Sequence, residues 1–186
     1  ALGEVLHIAS RIHRDPEAVK IKPSGRPRLH RHDIKKALPA WLRGTAFGLP
    51  FGIIPAGGSE VPTFLAYGTE KRLAKRRGDI EFGQIGSIRG VAAPEAAGNA
   101  TAGTAMGALL ALGLPTSATA AIMIAAFQQY GMQPGPLLFE RSGPMVWTLL
   151  ASLFIGLVIL LVMNMQFAVL WAKLLLVPRH YLYAGI

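Results

Sequence analysis

Apolar residues in this chain run in long blocks rather than at helical or strand intervals. From Ala96 to Phe139 there are 44 positions without a charge, and from Ser142 to Ala172 another 31. Blocks of this length leave no charged solvent face, so they predict helices in apolar surroundings and not amphipathic helices on a soluble core. The second block, centred on Leu149 to Val162, reads as one spanning helix over 146–172. The first is too long for one span. At about 1.5 Å per residue an unbroken helix of that length would extend roughly 66 Å, about twice a hydrocarbon core. The break falls at Leu112-Gly113-Leu114-Pro115-Thr116-Ser117, where glycine relaxes the backbone and proline removes a donor. The pattern therefore predicts a discontinuous helix over 96–130 and an outer loop over 131–145.

A third apolar stretch, Gly44 to Thr69, lies between two strongly basic flanks. If both flanks face one side, the stretch must enter and return. Two arms of about 12 residues reach roughly 18 Å each, so a re-entrant helical hairpin over 44–69 fits where two full spans do not. Its tip is Pro55-Ala56-Gly57-Gly58-Ser59-Glu60, and a basic loop over 70–90 follows. The other reading is an ordinary span with a glycine-rich kink.

Residues 1–43 divide differently. Leu2, Val5, Leu6, Ala9 and Ile12 share one helical stripe, as in the end of a membrane or interfacial helix. A charged, proline-containing stretch from Asp15 to Arg31 reads as a cytoplasmic linker, after which Asp33 is placed to cap a short helix, Ile34 to Arg43. Residues 180–186 read as the start of a next helix. The chain opens without methionine and ends in an apolar segment, which suggests a fragment of a longer membrane protein.

Composition supports an all-α integral membrane protein that crosses the bilayer several times: 52% hydrophobic residues, 16% charged and a mean hydropathy of +0.39. The formal charge of +9 raises nucleic acid as a partner. Its distribution argues against that reading. Ten Lys and Arg lie from Arg11 to Arg43 and six from Lys71 to Arg89, beside apolar segments and with few aromatics to stack on bases. With Lys173 and Arg179, these clusters fall on one face of the predicted topology, as the positive-inside rule requires. The absence of cysteine removes disulfides and cysteine-based metal sites. His7, His13, His30 and His32 have basic neighbours and no acid cluster to complete a metal site.

The breaks are where chemistry is expected, because irregular backbone at membrane depth survives only where protein or a water-filled cavity satisfies it. Phe51-Gly52-Ile53-Ile54-Pro55-Ala56-Gly57 and Leu112-Gly113-Leu114-Pro115-Thr116-Ser117 echo one another: apolar, Gly, apolar, Pro, then small residues. Two interrupted apolar segments in one half of a transporter point to paired discontinuous elements at a binding place. A rival reading is an intramembrane enzyme, with nucleophile and base drawn from Ser59, Glu60, Thr116 and Ser117. No His or Lys lies within 44–69 or 96–139, and neither a nucleophile elbow nor a phosphate loop is present. A scaffold subunit without a site would leave two polar breaks unexplained.

Five motifs in register carry a family resemblance: Pro55 to Tyr67, Glu70-Lys71-Arg72-Leu73, Gly90 to Ala97, Leu112 to Ala121, and Gly131 to Phe139. Together they resemble the large membrane subunit, the TctA family, of the tripartite tricarboxylate transporter, with this chain similar to its C-terminal half. The resemblance implies secondary uptake of a di- or tricarboxylate, citrate-like, across the bacterial inner membrane. It also implies a small four-helix membrane subunit, a periplasmic substrate-binding protein and a proton or sodium gradient, with no cofactor besides the coupling ion. The sequence departs from the commoner pattern at Ala56 and Thr116, which leaves the choice of carboxylate open, and at Arg89 and Gly98, positions to which the family's roles do not carry over.

For such a ligand the site must offset two or three negative charges, and half-helix N-termini, small residues and hydroxyls can do so. That role falls to Gly57, Gly58 and Ser59 at the hairpin tip. At the second break it falls to Gly113, Pro115, Thr116, Ser117 and Thr119, with Asn99 and Thr101 as supporting contacts. Each hydroxyl could instead bond its own helix backbone. Glu60 and Glu95 are the carboxylates placed to carry a coupling proton, unless they sit at the interface or pair with arginine. Sodium held by backbone carbonyls would need neither.

Overall fold

The structure, a computed structural model, describes residues 30–55, 58–80, 82 and 86–174. Residues 29–150 form one compact unit and residues from 151 onward belong to another. Among the described residues there are five helices and no strand: α1 (Arg31–Ile53), α2 (Glu60–Arg77), α3 (Ile88–Leu112), α4 (Ala118–Gln129) and α5 (Leu138–Leu174).

The first unit is organised by small residues. Helix α1 buries Ala37, Ala40, Gly44, Gly48 and Gly52, a face repeating almost every fourth residue. Gly44 lies on Ala93, Gly48 on Ala97 and Gly52 on Thr101, so the offset is constant and α1 runs parallel to α3. A Cβ at any of the three glycines would approach the α3 backbone to 3.0 Å or closer, which is why glycine is required there. The hydroxyl of Thr101 lies 3.2 Å from the Gly48 carbonyl oxygen and 2.8 Å from that of Ala97. Small residues four apart let backbones come close, the usual way to join helices where lipid supplies no hydrophobic drive.

Helix α2 returns against α1. The Arg43 Nε–H donates to Glu70 Oε1 at 2.6 Å, joining residues about equally far from the 54–59 turn, so the two helices are antiparallel. Glu70 is 1% exposed and tolerates that burial through this ion pair. Lys75, Arg76 and Arg77 occupy the last turn of α2, where they complement its C-terminal dipole before Gly78 ends it at φ 65°. Arg89, at the start of α3, donates to the Lys36 carbonyl and pairs with Asp79 at 3.6 Å. The basic end of the unit is thus tied across three helices.

A second cluster, apolar and larger in side chain, joins Leu109 and Leu110 of α3, Ala120 and Phe127 of α4, Met132, and Leu138 and Val146 of α5. Helix α5 carries a non-helical residue at Ser142 and Pro144 just beyond it. Its stretch Leu138–Ala168 is, among the described residues, the one helix long and apolar enough to cross a membrane, with only 6% of its most apolar window buried.

Several boundaries differ from those the sequence predicts. The short helix over 34–43 is the first half of α1, which runs on through residue 44 because Pro39 and Pro50 are accommodated within it. Asp33 is not the cap residue but the third residue of α1, and its Oδ2 accepts the His30 backbone N–H at 3.0 Å. The helices beside the 54–59 turn have 23 and 18 residues, about 34 and 27 Å at the helical rise, so they are longer than the 12-residue arms expected for a shallow hairpin. Helix α3 begins inside the expected basic loop and α5 inside the expected outer loop. The stripe at 2–12, the linker up to Leu29 and the next-helix start at 180–186 lie outside the described residues.

Candidate functional site

The expected interruption near Gly113 takes a specific form. Gly113, at φ 69°, ends α3 by donating its N–H to Leu109 O at 3.0 Å, and Leu114 N–H reaches Ala108 O at 3.4 Å. That pair of bonds closes a helix whose C′ residue is left-handed. A Cβ at Gly113 would also lie 2.7 Å from the Pro134 carbonyl oxygen, where the loop after α4 comes back and Gly135 N–H donates to Leu110 O at 3.0 Å.

From Gly113 the chain does not continue along the α3 axis. Thr116, Ser117 and Thr119 line the same pocket as Thr101, Ala102 and Ala105, which lie roughly two to three turns before the end of α3. Residues 113–117 therefore fold back along α3, and α4 starts afresh from that level. Ser117 caps the new helix in an extended conformation, φ −147° and ψ 162°, its Oγ accepting the Ala120 N–H at 3.1 Å. This use occupies an acceptor position and leaves the O–H to donate.

The other wall comes from the α1–α2 turn. Gly58 has φ 87°, a left-handed conformation glycine adopts without strain, and Ser59 precedes the first residue of α2, Glu60. Ser59 makes no side-chain capping bond, and its carbonyl accepts both the backbone N–H and the hydroxyl of Thr63. Gly58, Ser59 and Glu60 line the pocket together with Phe51 of α1. The pocket is about 260 Å³.

Two helix N-termini, those of α2 and α4, thus open on one small cavity lined, among the described residues, by no basic side chain. The first-turn N–H groups of a helix lack partners within it and carry roughly half a positive charge, so the cavity is suited to an anion. Thr116 is 9% exposed and lines the pocket, while the buried side-chain polar atom left without a partner among the described residues is Arg43 Nη2, outside it.

The structure does not bring every sequence-predicted residue to this place. Gly58, Ser59, Glu60, Thr101, Thr116, Ser117 and Thr119 converge on the pocket. Thr101 does so with its hydroxyl already engaged by the α1 and α3 carbonyls, so its main part is in joining the helices. Gly113 and Pro115 shape the return without lining the cavity. Glu95 is exposed on α3 away from it, and Asn99 Nδ2 donates to the Glu95 carbonyl at 2.8 Å. Gly57 lies outside the described residues. Phe51, Ala102 and Ala105 are the lining residues that sequence reasoning missed. Ala105 was legible as a neighbour of Thr101 on its helix face, four residues on, whereas Ala102, one residue on, was not.

An all-helical protein with an apolar helix of membrane-crossing length and an anion-suited pocket at two helix starts is the class these features define. The chain belongs to the tripartite tricarboxylate transporter TctA family, which matches residues 1–186. Two relatives come from Agrobacterium vitis. One, an uncharacterized 52.8 kDa protein in the TAR-I ttuC' 3' region, is 36% identical over 158 residues, which is 85% of this chain and 31% of that protein. The other, an uncharacterized protein in the TAR-II ttuC' 3' region, is 37% identical over 139 residues, covering 75% of this chain and 56% of its own length. The chain thus spans about a third and just over half of these relatives. No solved structure matches it.

Proposed function

We propose that this chain is the substrate-binding part of the large permease subunit of a tripartite transporter, taking up a di- or tricarboxylate, citrate-like, across the bacterial inner membrane. The observation that carries the reading is the meeting of the α2 and α4 N-termini on one pocket lined by Ser59, Thr116, Ser117 and Thr119. Carboxylate oxygens accept hydrogen bonds only, and beside the Glu60 carboxylate the break residues offer donors: backbone N–H groups and the hydroxyls of Ser59, Thr116, Ser117 and Thr119. Family membership supports transport over catalysis, and among the described residues no His or Lys lines the pocket.

In this reading a periplasmic binding protein delivers the carboxylate and a small four-helix membrane subunit completes the assembly. A proton or sodium gradient drives uptake. The α1–α2 hairpin and the broken helix α3–α4 move around the bound ligand in alternating access. Among the carboxylates named above, Glu60 is the one in the pocket and Glu95 the one outside it. Bacterial uptake of labelled citrate and succinate tests the reading with Thr116→Val, a change of hydroxyl to methyl. Loss of one hydrogen bond to a charged group predicts uptake affinity about tenfold weaker or more, with normal membrane insertion. Unchanged uptake by Thr116→Val and Ser117→Ala together would remove the pocket from the transport path.

A further inference from the structure

We infer that the last two turns of α2 are a docking face for anionic phospholipid headgroups, with acyl chains against the exposed leucines of α1.

The exposed side of α2 changes character abruptly along its length. Val61, Phe64 and Leu65 lie open over the first two turns, and Phe64 is 75% exposed. Gly68 follows on the same side, with nothing within 4 Å of an added Cβ. Lys71, Arg72, Lys75 and Arg76 then continue that side, all four exposed, at the three- and four-residue spacings that keep side chains on one helix face. From Leu65 to Lys71 the axis rises only about 9 Å, a step comparable to the depth of one headgroup layer. Tyr67 is exposed at the step, the level at which tyrosine anchors to a membrane surface.

No acid of this chain answers the four cations. Glu70 is engaged by Arg43 and Asp79 by Arg89, and among the described residues Lys71, Arg72, Lys75 and Arg76 form no ion pair. Lys71 with Lys75 and Arg72 with Arg76 are like charges four apart, which repel on a helix surface. Topology requires only that basic residues stay on one side of the membrane; gathering four on one face of one helix calls for a counter-charge from outside. The neighbouring helix says what carries it. Counted from the Arg43–Glu70 pair along two antiparallel helices, Leu42 stands level with Lys71 and Leu38 with Lys75, and both leucines are exposed. A protein segment covering this end would have to be acidic towards α2 and apolar towards α1, whereas an anionic phospholipid is both by constitution.

The test is a mass-spectrometric count of the lipids that stay with the protein when it is purified in detergent from membranes of equal phosphatidylglycerol and phosphatidylcholine content. The wild type is expected to retain phosphatidylglycerol over phosphatidylcholine by about tenfold or more, each cation contributing up to about fivefold. The combined variant Lys71→Gln, Arg72→Gln, Lys75→Gln and Arg76→Gln, which keeps helix propensity, should retain the two lipids alike. Arg72→Lys with Arg76→Lys keeps the charge and should keep the preference. Equal retention of both lipids by the wild type, or a preference that survives in the glutamine variant, would overturn the inference. So would displacement of the lipid from the wild type by excess free glycerol phosphate, which would mark a soluble-phosphate site. Loss of the small membrane subunit from the glutamine variant with its lipid preference intact would make the face a protein interface instead.

Discussion

Gly48→Ala is the sharpest test of how α1 and α3 are joined. The added methyl would lie 2.8 Å from the Ala100 Cβ and closer still to the Ala97 carbonyl oxygen, where ordinary contact begins at 3.4 Å. Backbone cannot rotate away as a side chain can, so the helices would have to part by roughly 1 Å, an overpacking that costs about 1–3 kcal/mol. Parting also stretches the 3.2 Å contact of the Thr101 hydroxyl with the Gly48 carbonyl, for about 0.5–1.5 kcal/mol more. Against this stands the better helix propensity of alanine, a gain of about 0.5–1 kcal/mol. The net expectation is a loss of about 2–3 kcal/mol, read as an unfolding midpoint lower by roughly 5 °C or more in detergent. Gly107→Ala is the control. It lies on α3 with nothing within 4 Å of an added Cβ, so only the propensity gain should remain. A Gly48→Ala protein as stable as Gly107→Ala would refute the close parallel packing.

Three further outcomes follow from the same geometry. Arg43→Met should destabilise by about 3–5 kcal/mol because it leaves the buried Glu70 carboxyl without its partner, while Arg43→Met with Glu70→Leu should recover most of the loss in the same unfolding assay. Gly113→Ala, strained at φ 69° and 2.7 Å from Pro134 O, should cost about 2–4 kcal/mol, and the control Gly103→Ala, open on α3, should cost nothing. Cysteines placed at Lys35 and Arg76 should react with an impermeant thiol reagent from the same side of the membrane, since antiparallel α1 and α2 put both at one end of the unit; labelling from opposite sides would exclude the hairpin.

What the sequence made legible was the location of the breaks, because Gly113 and Pro115 act through local backbone chemistry that needs no tertiary contact. Ser117 falls at the second break by sequence, but the helix cap it forms with the Ala120 N–H was not assigned there. The direction of the chain after the break was not legible. Nothing in Leu114-Pro115-Thr116 says whether α4 continues α3 or starts again beside it; that is decided by the α4 and α5 side chains Phe127, Leu138 and Val146 meeting Leu109 and Leu110. The burial of Glu70 was hidden for a related reason. In sequence it opens a basic run, and only the return of α2 against α1 gives it Arg43. Gly44, Gly48 and Gly52 were readable in principle as a period-four face, but their partner face on α3 lies 49 residues away.

The similar sequences at the two breaks do not make similar structures, and the difference bears on how the site is assembled. At the first, Pro55 follows α1 and the chain reverses into the antiparallel α2; at the second, Pro115 lies in a return that brings α4 back beside α3. Both devices nevertheless end in a serine immediately before a helix whose start opens on the cavity. The two starts belong to different pairs of helices, so something must hold the pairs in register. The α1–α3 contact does this: Gly52 is the last of its three close approaches, seated against Thr101, Thr104 and Ala105, and Thr101 and Ala105 line the pocket. A displacement of α1 along α3 by one helical turn would shift the α2 start by about 5.4 Å relative to Thr116 and Ser117. The glycine face is therefore part of the site's geometry as well as of its stability, and Gly52→Ala should weaken carboxylate binding more than Gly44→Ala at equal loss of stability. Equal binding by the two variants would show that the pocket tolerates the shift.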